Sequence, residues 1–285
     1  MNSVVSRAVG LEEDFQHLYR TYFGEMQHER AEIETLPRLL KGVDLFIDVG
    51  ASLGQYTYFA NRVLSGGKII ALEPDPDRFA ELSKNCRKWA RDGNTEIVAI
   101  QAAVSDVTGT TSFSKTGSRI SGGLFPVDER PASYSPVEVR QIVLDEFFRR
   151  GVETFVKIDV EGSEIRALLG ATELIDSGVA RFLTEITWWG DRERGYTPLT
   201  FLRFLYHRGL EVRKNTSRRN SSFLVLPVEG RRPSLLAYMR VAPVLVAKSF
   251  WGRYIPRRVR ASVERLLGQR RVRNHADSEI AHATE

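Results

Sequence analysis

Between residue 44 and about residue 210 the chain alternates short apolar runs with stretches in which apolar residues recur every three to four positions. Asp44-Leu-Phe-Ile-Asp-Val-Gly50 is an apolar run that stops at glycine, which predicts a buried strand. Lys68-Ile-Ile-Ala-Leu-Glu73, Thr95 to Val104, Phe155 to Val160 and Arg181 to Thr187 read as further strands. Tyr56 to Leu64, Asp77 to Trp89, Ser163 to Leu169 and Pro198 to Arg208 read as helices between them. Val139 to Phe148 predicts a strand and a short helix, while Glu211 to Arg213 and Ser222 to Leu226 predict a closing β pair. Upstream, Leu11, Phe15, Leu18, Tyr22 and Met26 have helical spacing, so residues 11–40 read as helix ended by Pro37 and Gly42. Alternating strand and helix argue for a mostly parallel α/β sheet with helices on both faces. Such sheets bind ligands at the carboxyl ends of their strands, where the strand order reverses.

Composition narrows the class. The 285 residues are 42% apolar and 27% charged, which excludes a collagen, a wholly disordered chain and a disulfide scaffold. Cys86 is the single cysteine and cannot pair within the chain. Neither an apolar leader nor an uninterrupted apolar run of spanning length is seen, so the expected setting is the cytoplasm. The net charge of +5 is unevenly placed: residues 231–285 hold 12 Lys and Arg against 4 Asp and Glu, leaving 29 against 32 for residues 1–230. The organisation read from these shifts is an N-terminal helical segment (1–43), an α/β domain (44–230) and a basic extension (231–285). A nearly neutral body argues against a nucleic-acid footprint across the whole protein.

The chemistry concentrates in the first strand-to-helix turn, Asp48-Val-Gly-Ala-Ser-Leu-Gly54. Gly50 and Gly54 permit a tight turn that brings backbone N–H groups close to a ligand. Glu73 ends the second strand, 19 positions beyond Gly54, where an acid accepts hydrogen bonds from both hydroxyls of a ribose. A dinucleotide and S-adenosylmethionine share that requirement. The dinucleotide pattern G-x-G-x-x-G fits poorly, because Ser52 stands at its second glycine and Gly54 is out of register.

Four motifs occur in order: Phe46-Ile-Asp-Val-Gly-Ala-Ser-Leu-Gly-Gln-Tyr-Thr57, Ile70-Ala-Leu-Glu-Pro-Asp-Pro76, Ala102-Ala-Val-Ser-Asp106 and Val156-Lys-Ile-Asp-Val-Glu-Gly162. Over roughly residues 44–210 the chain resembles the FkbM-type methyltransferases. That resemblance implies a Rossmann-like class I sheet with an antiparallel closing strand. It also implies S-adenosylmethionine as cofactor and O-methylation of natural products or sugars. Position by position it implies Asp48, Gly50, Ser52 and Gly54 at the cofactor's amino-acid end, with Tyr56 and Thr57 opening the helix at the pocket floor. Glu73 would meet the ribose, followed by Pro74 and Asp75, with Ser105 and Asp106 beside the adenine. Asp106 reads equally as a turn cap. The family usually has Asn where this chain has Ser52, and the basic extension lies outside its pattern.

An alcohol becomes a good nucleophile only when its proton is removed. Lys157, Asp159 and Glu161 share one face of a strand by period-two spacing. Asp159 and Glu161 are the candidate bases; the alternative is an internal Lys157–Asp159 ion pair. Glu185 is another acid inside a predicted buried strand, at the same end of the sheet, and Asp159, Glu161 and Glu185 together offer oxygen ligands for a divalent cation. Trp188 and Trp189 suit a sugar face or the core under a loop, and residues 116–136 suit a lid. His207 reads as a surface or packing residue, and His17 and His28 as solvated. Leu235 to Phe250, followed by Trp251, Tyr254, Arg257, Arg258 and Arg260, suggests peripheral contact with an anionic membrane at its inner face, or a helix packed on the body. The expected partner is a small-molecule or glycan acceptor. A nucleic-acid methyltransferase, an inactive Rossmann-like binding module and an oxidoreductase are the rival readings.

Overall fold

A computed structural model describes residues 30–91, 95–115, 135–160, 162–185, 197–215, 222–227, 233–236 and 238–243. Two short helices, α1 (Arg30–Ile33) and α2 (Leu36–Leu39), precede β1 (Leu45–Val49) and α3 (Gln55–Val63). Then follow β2 (Lys68–Leu72), α4 (Pro76–Trp89), β3 (Glu96–Ile100), β4 (Ala103–Val104), β5 (Gly109–Lys115) and β6 (Ser135–Ile142). A 3₁₀ turn (Leu144–Phe147) leads to β7 (Thr154–Ile158), α5 (Glu164–Leu169), α6 (Thr172–Asp176) and β8 (Ala180–Glu185). The core domain closes with α7 (Pro198–His207), β9 (Leu210–Lys214) and β10 (Ser222–Pro227).

The central sheet has seven strands in the order β3-β2-β1-β7-β8-β10-β9. β1 pairs in parallel with β2 and β7, β2 with β3 and β7 with β8, whereas β10 is antiparallel to both of its neighbours. The expected fold class therefore stands, with the antiparallel strand one place in from the edge. Successive residues of β1 feed opposite faces, as strand geometry requires. Leu45, Ile47 and Val49 join Ile70, Val156 and Phe182 in one core, while Phe46 joins Phe59, Ile69 and Phe155 in the other. β1 and β7 are buried along their whole length, so polar groups at their ends must be paired. Between these two strands the order reverses, and the carboxyl ends of β2, β1 and β7 lie side by side, the place where such sheets bind ligands.

Three expectations change. Thr95 to Val104 is not one strand: β3 stops at Ile100 and the chain bends, so that β4 pairs with β6 in a separate three-stranded sheet. The helix expected over 11–40 is broken at Glu34 and Thr35 in its described part, and Pro37 sits in the first turn of α2. Proline there costs nothing, since first-turn N–H groups have no helical partner. α6 was not foreseen. Residues 11–29 lie outside the described residues. No helix among the described residues is long and apolar enough to cross a membrane.

Candidate functional site

The turn between β1 and α3 is held by main-chain contacts. Gly50 and Ala51 donate to the Leu72 carbonyl at 2.9 Å each, which ties the turn to the end of β2. Gly50 has φ +76, and a Cβ there would lie 1.9 Å from the Asp159 carbonyl oxygen. Gly54 has φ +96, and a Cβ there would press into Trp89 and Leu82. Both positions therefore demand glycine, one for the approach of β7 and one for the packing of α4. Ser52 adopts φ 53, a left-handed conformation that Asn tolerates better than Ser.

Glu73 closes the turn from the other side. Its Oε2 accepts from the Ser52 N–H at 2.8 Å, and Oε1 accepts from the Asp75 N–H at 2.9 Å. The carboxylate is only 3% exposed, and burial pushes its pKa up to about 7 against the opposing pull of the two N–H groups. Asp75 caps α4, accepting from the N–H groups of Asp77 and Arg78, with Pro76 at the first helical position and Pro74 before the cap. Asp48 is fully buried. Its Oδ2 accepts from both the N–H and the hydroxyl of Thr57, at 2.9 and 2.7 Å, fastening α3 to β1. The other oxygen, Oδ1, has no hydrogen-bond partner. Burial raises the Asp48 pKa, opposed by the positive charge of Lys157.

The end of β7 is built from side chains. Lys157 Nζ donates to Asp159 Oδ2 at 3.0 Å, with side chains 7% and 26% exposed. The internal ion pair is thus present, and the more open Asp159 faces outward from it. The ammonium lies 4.2 Å from the centroid of the Tyr56 ring, and the Tyr56 hydroxyl donates to Glu32 Oε2 at 2.9 Å. Glu32 is itself buried. Nothing in the sequence singled it out, because the contact joins α1 to α3 across 24 positions. Ile158 pairs with Thr184, so Asp159 and Glu185 follow at the same end of adjacent strands. Glu161, Trp188, Trp189 and residues 116–134 of the expected lid lie outside the described residues. Among the described residues no group of three or more His, Cys, Asp or Glu is placed to hold a metal ion.

Ser105 and Asp106 follow β4. Ser105 Oγ and Arg166 Nε both donate to Asp106 Oδ1, at 2.8 and 3.1 Å. Burial pushes the Asp106 carboxyl up, but these hydrogen bonds outweigh it and hold the group below the usual carboxylate range. Arg166, on α5, is a partner that sequence spacing gave no means of finding. His207 is exposed, as expected.

A family profile described as "Methyltransferase FkbM domain" matches residues 48–212, more than half of the chain. The chain belongs to the FkbM methyltransferase family. Its match begins at Asp48 and takes in the glycine turn, Glu73, Asp106, Lys157, Asp159 and Glu185. Among FkbM-related proteins, the hexuronic acid methyltransferase AglP of Haloferax volcanii is 23% identical over 73% of this chain and 79% of its own. The 31-O-demethyl-FK506 methyltransferase FkbM of Streptomyces tacrolimicus is 28% identical over 55% of this chain and 69% of its own. The crystal structure of an FkbM methyltransferase from Methylobacillus flagellatus aligns with 65% of this chain and 43% of that one at 16% identity, with a TM-score of 0.44. Glu32 lies upstream of the matched residues, so Tyr56 is braced by a segment outside the match.

Proposed function

We propose that this chain uses S-adenosylmethionine to O-methylate a hydroxyl of a saccharide, glycolipid or other small natural product in the cytoplasm. The observation that carries the cofactor half is Glu73: buried at the end of β2, with each oxygen aligned by one backbone N–H. Each oxygen keeps a further lone pair, enough to accept the two neighbouring hydroxyls of a ribose. The residues present fit the cofactor in one other respect: Asp48 Oδ1, at the end of β1, is a buried acceptor without a donor.

S-adenosylmethionine supplies an electrophilic methyl group. The Gly50–Gly54 turn and Glu73 would hold its amino-acid end and ribose, with Ser105 and Asp106 toward its adenine. Asp159, fixed by Lys157, would take the proton of the acceptor hydroxyl, the oxygen then able to receive the methyl group. Glu185, at the same end of the neighbouring strand, would accept a hydrogen bond from the same acceptor. Holding the two reactants in line supplies much of the acceleration. The relatives named for a hexuronic acid and for 31-O-demethyl-FK506 support an oxygen-rich acceptor.

Calorimetric titration separates the cofactor readings. S-adenosylhomocysteine is expected to bind and NAD not to; the opposite result overturns the proposal. Labelled methyl transfer to glucuronic acid and its glycosides tests the acceptor. An alkali-stable methyl ether is the expected product, whereas an alkali-labile ester would move the acceptor from hydroxyl to carboxylate.

A further inference from the structure

Residues 235–236 and 238–243 are helical, and the two sides of this stretch differ. One side anchors it. Tyr238 donates its hydroxyl to the Leu210 carbonyl at the start of β9, and its ring meets that of Tyr206 edge-on at 5.7 Å. Val241 joins the larger core. On the other side Leu235, Leu236 and Met239 are 65%, 58% and 69% exposed. At about 100° per residue these three span an arc of roughly 100°, flanked by Arg240 and turned away from Tyr238 and Val241. Only five large hydrophobic residues are strongly exposed among the described residues, and three of them share this arc. Single exposed apolar residues are ordinary, but a clustered face on an anchored helix marks a contact surface.

The charge of the surrounding sequence selects its occupant. Arg231 and Arg232 precede the helix, and Arg253, Arg257, Arg258 and Arg260 follow it in the sequence, interleaved with Trp251, Tyr254 and Ile255. Residues 231–285 carry 12 Lys and Arg against 4 Asp and Glu. A second copy of the chain would bring an equally positive extension against this one, which repulsion opposes. A bilayer with anionic headgroups offers apolar depth and negative charge together, the pairing this segment matches.

We propose that the helix docks the protein on an anionic membrane surface. Leu235, Leu236 and Met239 enter the boundary between headgroups and acyl chains, and the arginines engage the lipid phosphates. This surface is independent of the cofactor crevice, so it stands or falls apart from the methyltransferase reading.

The test is flotation of the full chain with vesicles of phosphatidylcholine alone or mixed with phosphatidylglycerol, at low and high salt. The protein is expected to float only with the anionic vesicles, and less as salt rises. The variant Leu235→Ser/Leu236→Ser/Met239→Ser should bind them roughly tenfold less or weaker still, with an unchanged thermal midpoint. Failure of the wild-type chain to bind anionic vesicles overturns the proposal, as does equal binding by the triple variant. A lowered midpoint in the variant would mean that the chain's own residues cover the face. Loss of a concentration-dependent dimer in sedimentation would assign the face to a second copy. Salt-sensitive RNA binding that the variant retains, without vesicle binding, would assign the charge to nucleic acid. Each of these three results also overturns it.

Discussion

At the carboxyl end of β2, Glu73 is held by the N–H groups of Ser52 and Asp75, and on β1 Asp48 is held by Thr57. Across β1, at the end of β7, Asp159 is held by the ammonium of Lys157, which lies against Tyr56 and through it reaches Glu32. The first set relies largely on main-chain donors, which any sequence folding to this turn supplies. The second relies on four side chains from three separate elements. The half assigned to the cofactor is therefore fixed by backbone geometry, and the half assigned to the acceptor by side-chain chemistry that substitution can retune.

The sharpest way to break the backbone half is Gly50→Ala. The new methyl meets the Asp159 carbonyl at a left-handed φ, so the cost should be roughly 3 kcal/mol or more. Chemical denaturation measures it; an unchanged midpoint would mean that the turn does not close on β7. In the side-chain half, Lys157→Met leaves Asp159 and buried Asp48 without their nearest cation. Removing one member of a buried pair costs about 3 kcal/mol, discounted here because Asp159 is partly exposed. Methyl transfer should fall steeply while S-adenosylhomocysteine still binds; equal loss of both would merge the two halves into one. Tyr56→Phe removes one hydrogen bond to buried Glu32 and should cost about 1 kcal/mol, with cofactor affinity unchanged. The smallest effect has the opposite sign. Ser52→Asn should stabilise the protein by about 0.5 kcal/mol, because Asn accepts φ 53 more readily.

That last position shows how far sequence reading reached. That Ser52 stands where the resemblance expects Asn is readable in the sequence, but what it entails, a serine held at a left-handed φ, is a property of the folded turn. Strands β1, β2, β7 and β8 were legible because a strand buried on both faces must be apolar throughout. The division of residues 95–104 was not. The run stays apolar while the chain passes from one sheet to another, and hydrophobicity does not record which neighbour a strand pairs with. Glu73 was legible from its place at a strand end, and Asp159 from its period with Lys157. Glu32 and Arg166 were not, since they reach the site through tertiary contacts 24 and 60 positions long.

The half assigned to the cofactor also carries a response to pH. The Glu73 carboxyl sits at about 7, against 4.5 for an ordinary glutamate. Below about pH 4.5 both folded and unfolded chains hold its proton; above 7 the folded chain carries a buried charge. Ligand-free stability should therefore fall as pH rises through that window, by up to roughly 3 kcal/mol from this group. Asp48, also raised by burial, contributes a slope of the same sign. Glu73→Gln should remove the Glu73 share, which thermal midpoints across the window would show. Ribose hydroxyls donating to the ionised carboxylate would favour the charged form, so cofactor binding should release protons near pH 6.

The most direct measurement is calorimetric titration of S-adenosylhomocysteine into wild-type and Glu73→Ala protein at pH 8. Loss of two hydrogen bonds to a charged acceptor should weaken binding by roughly a hundredfold or more, with the variant still folded. Equal affinity in the two proteins would contradict the assignment of the ribose to Glu73 and, with it, of the crevice to the cofactor.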